Sequence, residues 1–152
     1  GETSNYVELE HAGYTQDAMK EYVEACLTYA IVHDEPWPSP QELKVETMAY
    51  LQGMAEAAGE LRRRILDIIR HGRLEEAERI LDVMEDIYSF LITVDFPNAL
   101  TGGLRRLTDM VRGVLERTRG DLTMAMRQQA LQQALRNLEE RLDAWDEDKQ
   151  HG

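Results

Sequence analysis

An all-α fold, a bundle of antiparallel helices joined by short connections, is what this sequence predicts. Two patterns carry the prediction. Apolar residues recur at intervals of three and four over long stretches, and no stretch alternates with period two. The four prolines are concentrated, three of them in "PWPSP", so the rest of the chain is almost free of residues that interrupt a helix. A chain of 152 residues is long enough for one domain with a real core, and residues 1–152 read as a single helical domain.

Each element follows from local signals. The opening "GETSNYVELEHAGY" has no sustained period, and residues 1–13 read as an irregular N-terminus. Thr15 is placed to cap a helix through "TQDAMKEYVEACLTYAIVH", with Asp17 in its first turn favouring the positive end. Its expected apolar face is Met19, Tyr22, Val23, Cys26, Leu27, Ala30 and Ile31. "DEPWPSP" breaks that helix. Ser39, Pro40 and Glu42 then make a capping box with proline at the first helical position. A long helix is expected to follow, with a bend, through "ETMAYLQGMAEAAGELRRRILDIIRH", ended by Gly72 in a left-handed conformation.

The next helix is "RLEEAERILDVMEDIYSFLITV", with Ile80, Leu81, Met84, Ile87, Tyr88 and Leu91 on one face. "DFPNALTGG" reads as a further break. From about Leu104 to Trp145 the pattern is helical again, in two pieces around Gly120, and residues 146–152 read as an acidic disordered tail. These last two helical stretches carry more apolar positions than one small bundle can bury, which predicts a homo-oligomer.

Composition narrows the function classes. The net charge is −12, which argues against a protein that coats nucleic acid with its whole surface. The charge is uneven, however. Arg62, Arg63, Arg64, Arg70 and Arg73 fall between Leu61 and Arg73 with Asp67 as the lone acid, and Arg105, Arg106, Arg112, Arg117 and Arg119 form a second cluster. Of the 17 basic residues 14 are arginine, the side chain whose planar fork suits phosphate. The single cysteine, Cys26, cannot form an internal disulfide and reads as a small core residue. With no secretory signal and no apolar run long enough to span a membrane, the chain reads as cytoplasmic.

Two carboxylate pairs carry the chemistry. Glu21 and Glu24 stand one helical turn apart in "KEYVEAC". Glu56 and Glu60 share a helix face in "GMAEAAGEL", among Gly53, Ala55, Ala57, Ala58 and Gly59. Small residues at that point let another backbone approach closely, so the two pairs have a way to meet. Four carboxylates in one place repel unless a cation sits among them, and oxygen ligands suit Mg²⁺ or Mn²⁺. The rival reading is two solvated helix edges that tune surface charge. His11, His33, His71 and His151 are isolated and show no ligand spacing, no Glu-x-x-His occurs, and no glycine-rich phosphate loop follows a strand.

"EYVEA", "YLQGMAEAAGELRRR" and "VLERTRGDLT", in that order and on helices, resemble the translin superfamily over roughly Tyr14 to Leu135. In that family translin binds RNA and single-stranded DNA, while its partner TRAX carries the catalytic acids of a metal-dependent endoribonuclease. Glu21 and Glu24 match the Glu-x-x-Glu motif of TRAX. Glu56 and Glu60 match its second acidic pair, with Glu56 standing where TRAX has aspartate. The resemblance implies a TRAX-like prokaryotic relative that cuts single-stranded RNA, or single-stranded regions of RNA, inside a hollow homo-oligomer, an octamer or smaller. Glu21, Glu24, Glu56 and Glu60 would be both catalytic and metal-holding, and Arg62, Arg63, Arg105 and Arg112 would contact RNA. One departure is clear: family members usually begin with a further long helix before the part matching "AGYTQDA". The rival functions are a non-catalytic translin-like binder of RNA and single-stranded DNA, an all-α Mg²⁺-dependent nucleotide pyrophosphatase, and a helical adaptor without metal chemistry.

Overall fold

A computed structural model describes residues 15–94 and 98–152, the side chains of 98–102 excepted. The expected irregular stretch 1–13 lies outside the described residues. Helices run Gln16–Val32 (α1), Pro40–Leu43 (α2), Thr47–Arg70 (α3), Leu74–Thr93 (α4) and Asn98–His151 (α5), and no strand occurs among the described residues.

The capping signals act as read. The Thr15 hydroxyl accepts from the Ala18 amide at 3.2 Å and opens α1. The Ser39 hydroxyl accepts from the Glu42 amide at 3.1 Å and donates to the Glu42 carboxylate at 3.2 Å. Gly72, at φ 73°, ends α3, its amide donating back to the Ile69 carbonyl.

Four features differ from the sequence pattern. A full break, not a bend, separates α2 from α3: Lys44 adopts a left-handed conformation at φ 56°, and Glu46 then caps α3 through its backbone alone. The last helix begins at Asn98, so most of "DFPNALTGG" is helical. It passes through Gly120 without interruption and continues to His151, where a break and a disordered tail were expected. A single glycine inside a helix costs only about 1 kcal/mol, and Leu122 and Leu115 on either side of Gly120 are buried, so packing overrides it.

α3 is the central element. It packs against α1 on one side and against α4 and α5 on the others. Its small residues Ala55, Ala57 and Ala58 and its large ones Leu51, Met54, Leu61, Ile65 and Ile68 are all buried. Val23, Leu27 and Ile31 come in from α1, Ile80, Met84, Ile87 and Leu91 from α4, and Val111, Leu115 and Leu122 from α5. Tyr22, expected on the core face, is instead half exposed, and Cys26 is a partly buried free thiol.

Beyond Leu122 the last helix begins to leave the bundle, with Ala125 its final core contact. Met124, Leu131, Leu135, Leu138, Leu142 and Trp145 recur at three- and four-residue spacing (and at seven across Gln128), each more than half exposed. This arm extends for about 44 Å at 1.5 Å per residue. Among the described residues no helix is long and apolar enough to cross a membrane.

Candidate functional site

The site is built where α1 crosses α3. Gly53 sets the distance between them. A Cβ added there would lie 2.5 Å from the Val23 side chain and 2.8 Å from the Lys20 carbonyl oxygen, closer than any real contact. Only glycine permits this approach, and it brings the turn holding Glu21 and Glu24 over the turn holding Glu56 and Glu60. Among the described residues nothing lies within 4 Å of a Cβ at Gly59, which plays no part in the crossing, so of the two glycines in the motif only Gly53 acts as the sequence suggested.

The electrostatics of Glu24 report the convergence. Its carboxyl titrates above the ordinary glutamate value of 4.5. Partial burial is the largest cause, and the negative charges of Glu56 and then Glu60 push the same way. Lys20 opposes them, and Glu21 adds a smaller upward push. All four predicted carboxylates therefore belong to one electrostatic cluster, with Glu24 at its centre.

Two cations pull on its edges. The Lys20 ammonium lies 3.9 Å from Glu56, with Asp17 at the same distance on its other side. The Arg63 guanidinium donates to Glu60 at 3.0 Å. Lys20 was not singled out in the sequence, although it precedes Glu21 directly. Among the described residues, no three Asp, Glu, His or Cys side chains are drawn together as a ready-made coordination shell. The donor chemistry nevertheless fits a hard divalent cation. Oxygen donors dominate, negative charge is in excess at Glu24, and the opposing Lys20 and Arg63 pairs are partly exposed and weak enough to exchange.

Beside the carboxylates lies an open cavity of about 440 Å³, lined by Glu21, Glu24, Ala25, Thr28, Tyr29, Val32, His33 and Glu60. It follows one face of α1 from the acidic turn to the helix C-terminus. Thr28, one turn beyond Glu24, has a buried hydroxyl oxygen with no hydrogen-bond partner among the described residues. Tyr29 and His33 were also missed in the sequence. Their signal was the i, i+4 register that continues the face of Glu21 and Ala25.

The predicted arginines divide. Arg62 is committed to the fold: it donates to Asp121 at 2.7 Å and to the buried Thr118 hydroxyl at 3.2 Å, tying α3 to α5. Arg112 lies over Tyr88 and donates to its hydroxyl at 2.9 and 3.2 Å, but remains exposed. Arg63 is largely exposed and sits directly on the site through Glu60. Arg105 is exposed on α5.

No protein-family model matches the chain. An uncharacterised protein of Methanocaldococcus jannaschii is 36% identical over 131 residues, which are 86% of this chain and 59% of its relative. This chain thus spans about three fifths of that relative's length. Among solved structures, AfC3PO in complex with duplex RNA is 38% identical with a TM-score of 0.69, over 82% of this chain and 66% of that one. A crystal structure of AfC3PO gives 36% identity and a TM-score of 0.68, over 82% and 67%. Apo-NeC3PO gives 28% and 0.65, over 72% and 57%. Identity and structural likeness at this level, over most of the chain, mean that the protein belongs to the translin/TRAX superfamily, to which the C3PO proteins also belong.

Proposed function

We propose that the protein is a TRAX-like, Mg²⁺- or Mn²⁺-dependent endoribonuclease acting on single-stranded RNA or single-stranded regions of RNA. One observation carries the reading above the others: two carboxylate pairs, on different helices, share one charge cluster at a crossing that only Gly53 allows. A surface-tuning role would not require them to meet. The likeness to RNA-bound C3PO supports RNA as the substrate rather than free nucleoside triphosphates.

Glu21, Glu24, Glu56 and Glu60 would hold the cation. When bound, it supplies Lewis-acid polarisation of a phosphoryl oxygen and lowers the pKa of water. One of the four carboxylates would accept the proton of the attacking water. Glu56 and Glu60, now paired with Lys20 and Arg63, would have to exchange those partners for the cation. Arg63 would then be available to hold a phosphate oxygen, with Arg105 and Arg112 further contacts for the strand.

A second reading has a specific observation behind it. Lys20 and Arg63 already neutralise part of the cluster, as they would in a binding protein with vestigial acids. Incubating labelled RNA with Mg²⁺, Mn²⁺ or a chelator separates the two. The endoribonuclease cuts only with metal, and the binding protein retains RNA uncut in every condition. Because a relative binds duplex RNA, each condition is run on single-stranded and duplex substrates.

A further inference from the structure

We infer that Tyr29 and His33 form a stacking shelf for an unpaired nucleobase next to the carboxylate cluster, an assignment that rests on the RNA-cleaving reading above. The two rings stack with centroids 4.0 Å apart and planes 26° from parallel. Tyr29 is 58% exposed, and His33 is exposed as well, so the pair presents aromatic surface that the described residues leave open.

The shelf is rigid. The Tyr29 carbonyl oxygen can only accept, so His33 Nδ1 donates to it, at 2.8 Å, which orients the imidazole plane. The end of α1 beneath the rings is held by Arg79 of α4, whose guanidinium donates to the carbonyls of Ile31 at 3.1 Å and Val32 at 3.3 Å. Cationic groups at a helix C-terminus stabilise it. The Glu35 amide returns to the Ala30 carbonyl at 2.8 Å and closes the same end. An exposed aromatic pair already held in place loses little freedom when a ligand stacks on it.

Its position gives the ligand class. Both rings line the cavity that also holds Glu21, Glu24 and Glu60. Tyr29 lies five residues beyond Glu24, about 7.5 Å along the helix axis and about 140° around it, so the two side chains stand at least two base rises of about 3.4 Å apart. A phosphodiester at the carboxylates therefore leaves a flanking base a few nucleotides away within reach of the rings. A base can occupy such a shelf only when unpaired, which makes it a reader of single-stranded character. Base–aromatic stacking tolerates any base, so the shelf favours single strands without selecting a sequence.

The test uses the full chain and a labelled single-stranded RNA, with Tyr29→Ala, Tyr29→Phe, Tyr29→Trp and His33→Ala variants checked for unchanged helicity. Tyr29→Ala is expected to weaken RNA binding and raise KM about tenfold, the scale of one lost stacking contact, with kcat nearly unchanged. Tyr29→Phe and Tyr29→Trp should retain wild-type binding, and the indole emission that the latter substitution adds over the wild type should be quenched by RNA. A scan of abasic sites along the substrate should find one position that costs the wild type the same factor and costs Tyr29→Ala nothing further. If the protein binds RNA with these sensitivities but never cuts it, the shelf stands and the endoribonuclease reading fails. If it cuts RNA with Mn²⁺ while Tyr29→Ala keeps the wild-type KM and abasic sensitivity, the reading stands and the shelf is wrong.

Discussion

At the scale of single residues, Glu24 is where energy and function meet. Its carboxyl is partly buried and faces the negative charges of Glu56 and Glu60 across the helix crossing. The folded state therefore binds a proton at Glu24 more tightly than the unfolded chain does. Above the raised folded value, the ionised group weakens the fold. As pH falls through that value towards the ordinary 4.5, the folded form takes up the proton first and the penalty is relieved. Glu24→Gln removes the charge and keeps the shape. It is expected to raise the melting temperature at pH 7 in chelator and to lose that advantage below about pH 4.5. Calorimetry across pH checks this, and an advantage that persists unchanged in acid below that point would mean that the charge is not its source.

Much of this residue scale was legible in the sequence. Four glutamates at turn spacing, beside small residues, suggested that two helices bring them near one another, but spacing alone left two solvated helix edges as the rival reading, and the family resemblance decided between them. The modulators of the cluster were not legible, because each depends on a neighbour far along the chain. Arg62 looks like a phosphate ligand until Asp121, 59 positions on, is seen to hold it. Tyr22 fits the helical core pattern, but α1 turns only a narrow stripe inward, and the tyrosine falls beside it.

At the scale of elements, the crossing of α1 over α3 is the part on which the site depends. Gly53→Ala places a methyl group into the Val23 side chain and the Lys20 backbone carbonyl, and the backbone contact cannot yield by a rotamer change. Overpacking of this kind costs about 1–3 kcal/mol, and separating the helices would also part the two carboxylate pairs. The expected result is a lower midpoint of chemical denaturation together with loss of cleavage. Gly59→Ala is the control: with nothing among the described residues within 4 Å of its Cβ position, it should leave stability equal or slightly higher, through better helix propensity. Equal behaviour of the two variants would show that the crossing tolerates a wider spacing. Elements were easiest to read where caps are local, as at Thr15, Ser39 and Gly72. They were misjudged where tertiary packing decides, as at Gly120, which a buried face of α5 carries through without a break.

At the scale of the whole molecule, the arm of α5 is the largest feature that the bundle does not explain. Its stripe of Leu131, Leu135, Leu138, Leu142 and Trp145 has the spacing of a helix–helix seam. We expect the chain to self-associate, as the excess of apolar positions in its sequence indicated. Light scattering should report a mass well above 17.5 kDa at micromolar concentration, and Leu135→Glu with Leu138→Glu should reduce it. A monomer throughout that range would remove the interior cavity from the account while leaving the carboxylate cluster intact. Self-association also bears on RNA: the chain carries a net charge of −12, so its arginines must be gathered on surfaces shielded from the acidic exterior if they are to hold a strand.

The central claim is that four carboxylates act as one metal-holding unit that cuts RNA. The most direct measurement is the rate of single-stranded RNA cleavage in Mn²⁺ by the wild type, Glu24→Gln, Glu60→Gln and the double variant, with RNA binding followed in parallel. Each single variant is expected to abolish cleavage, the double variant to lose little more than either alone, and all three still to bind RNA. Cleavage by Glu24→Gln and Glu60→Gln at the wild-type rate would contradict the claim and leave the cluster a charged helix edge.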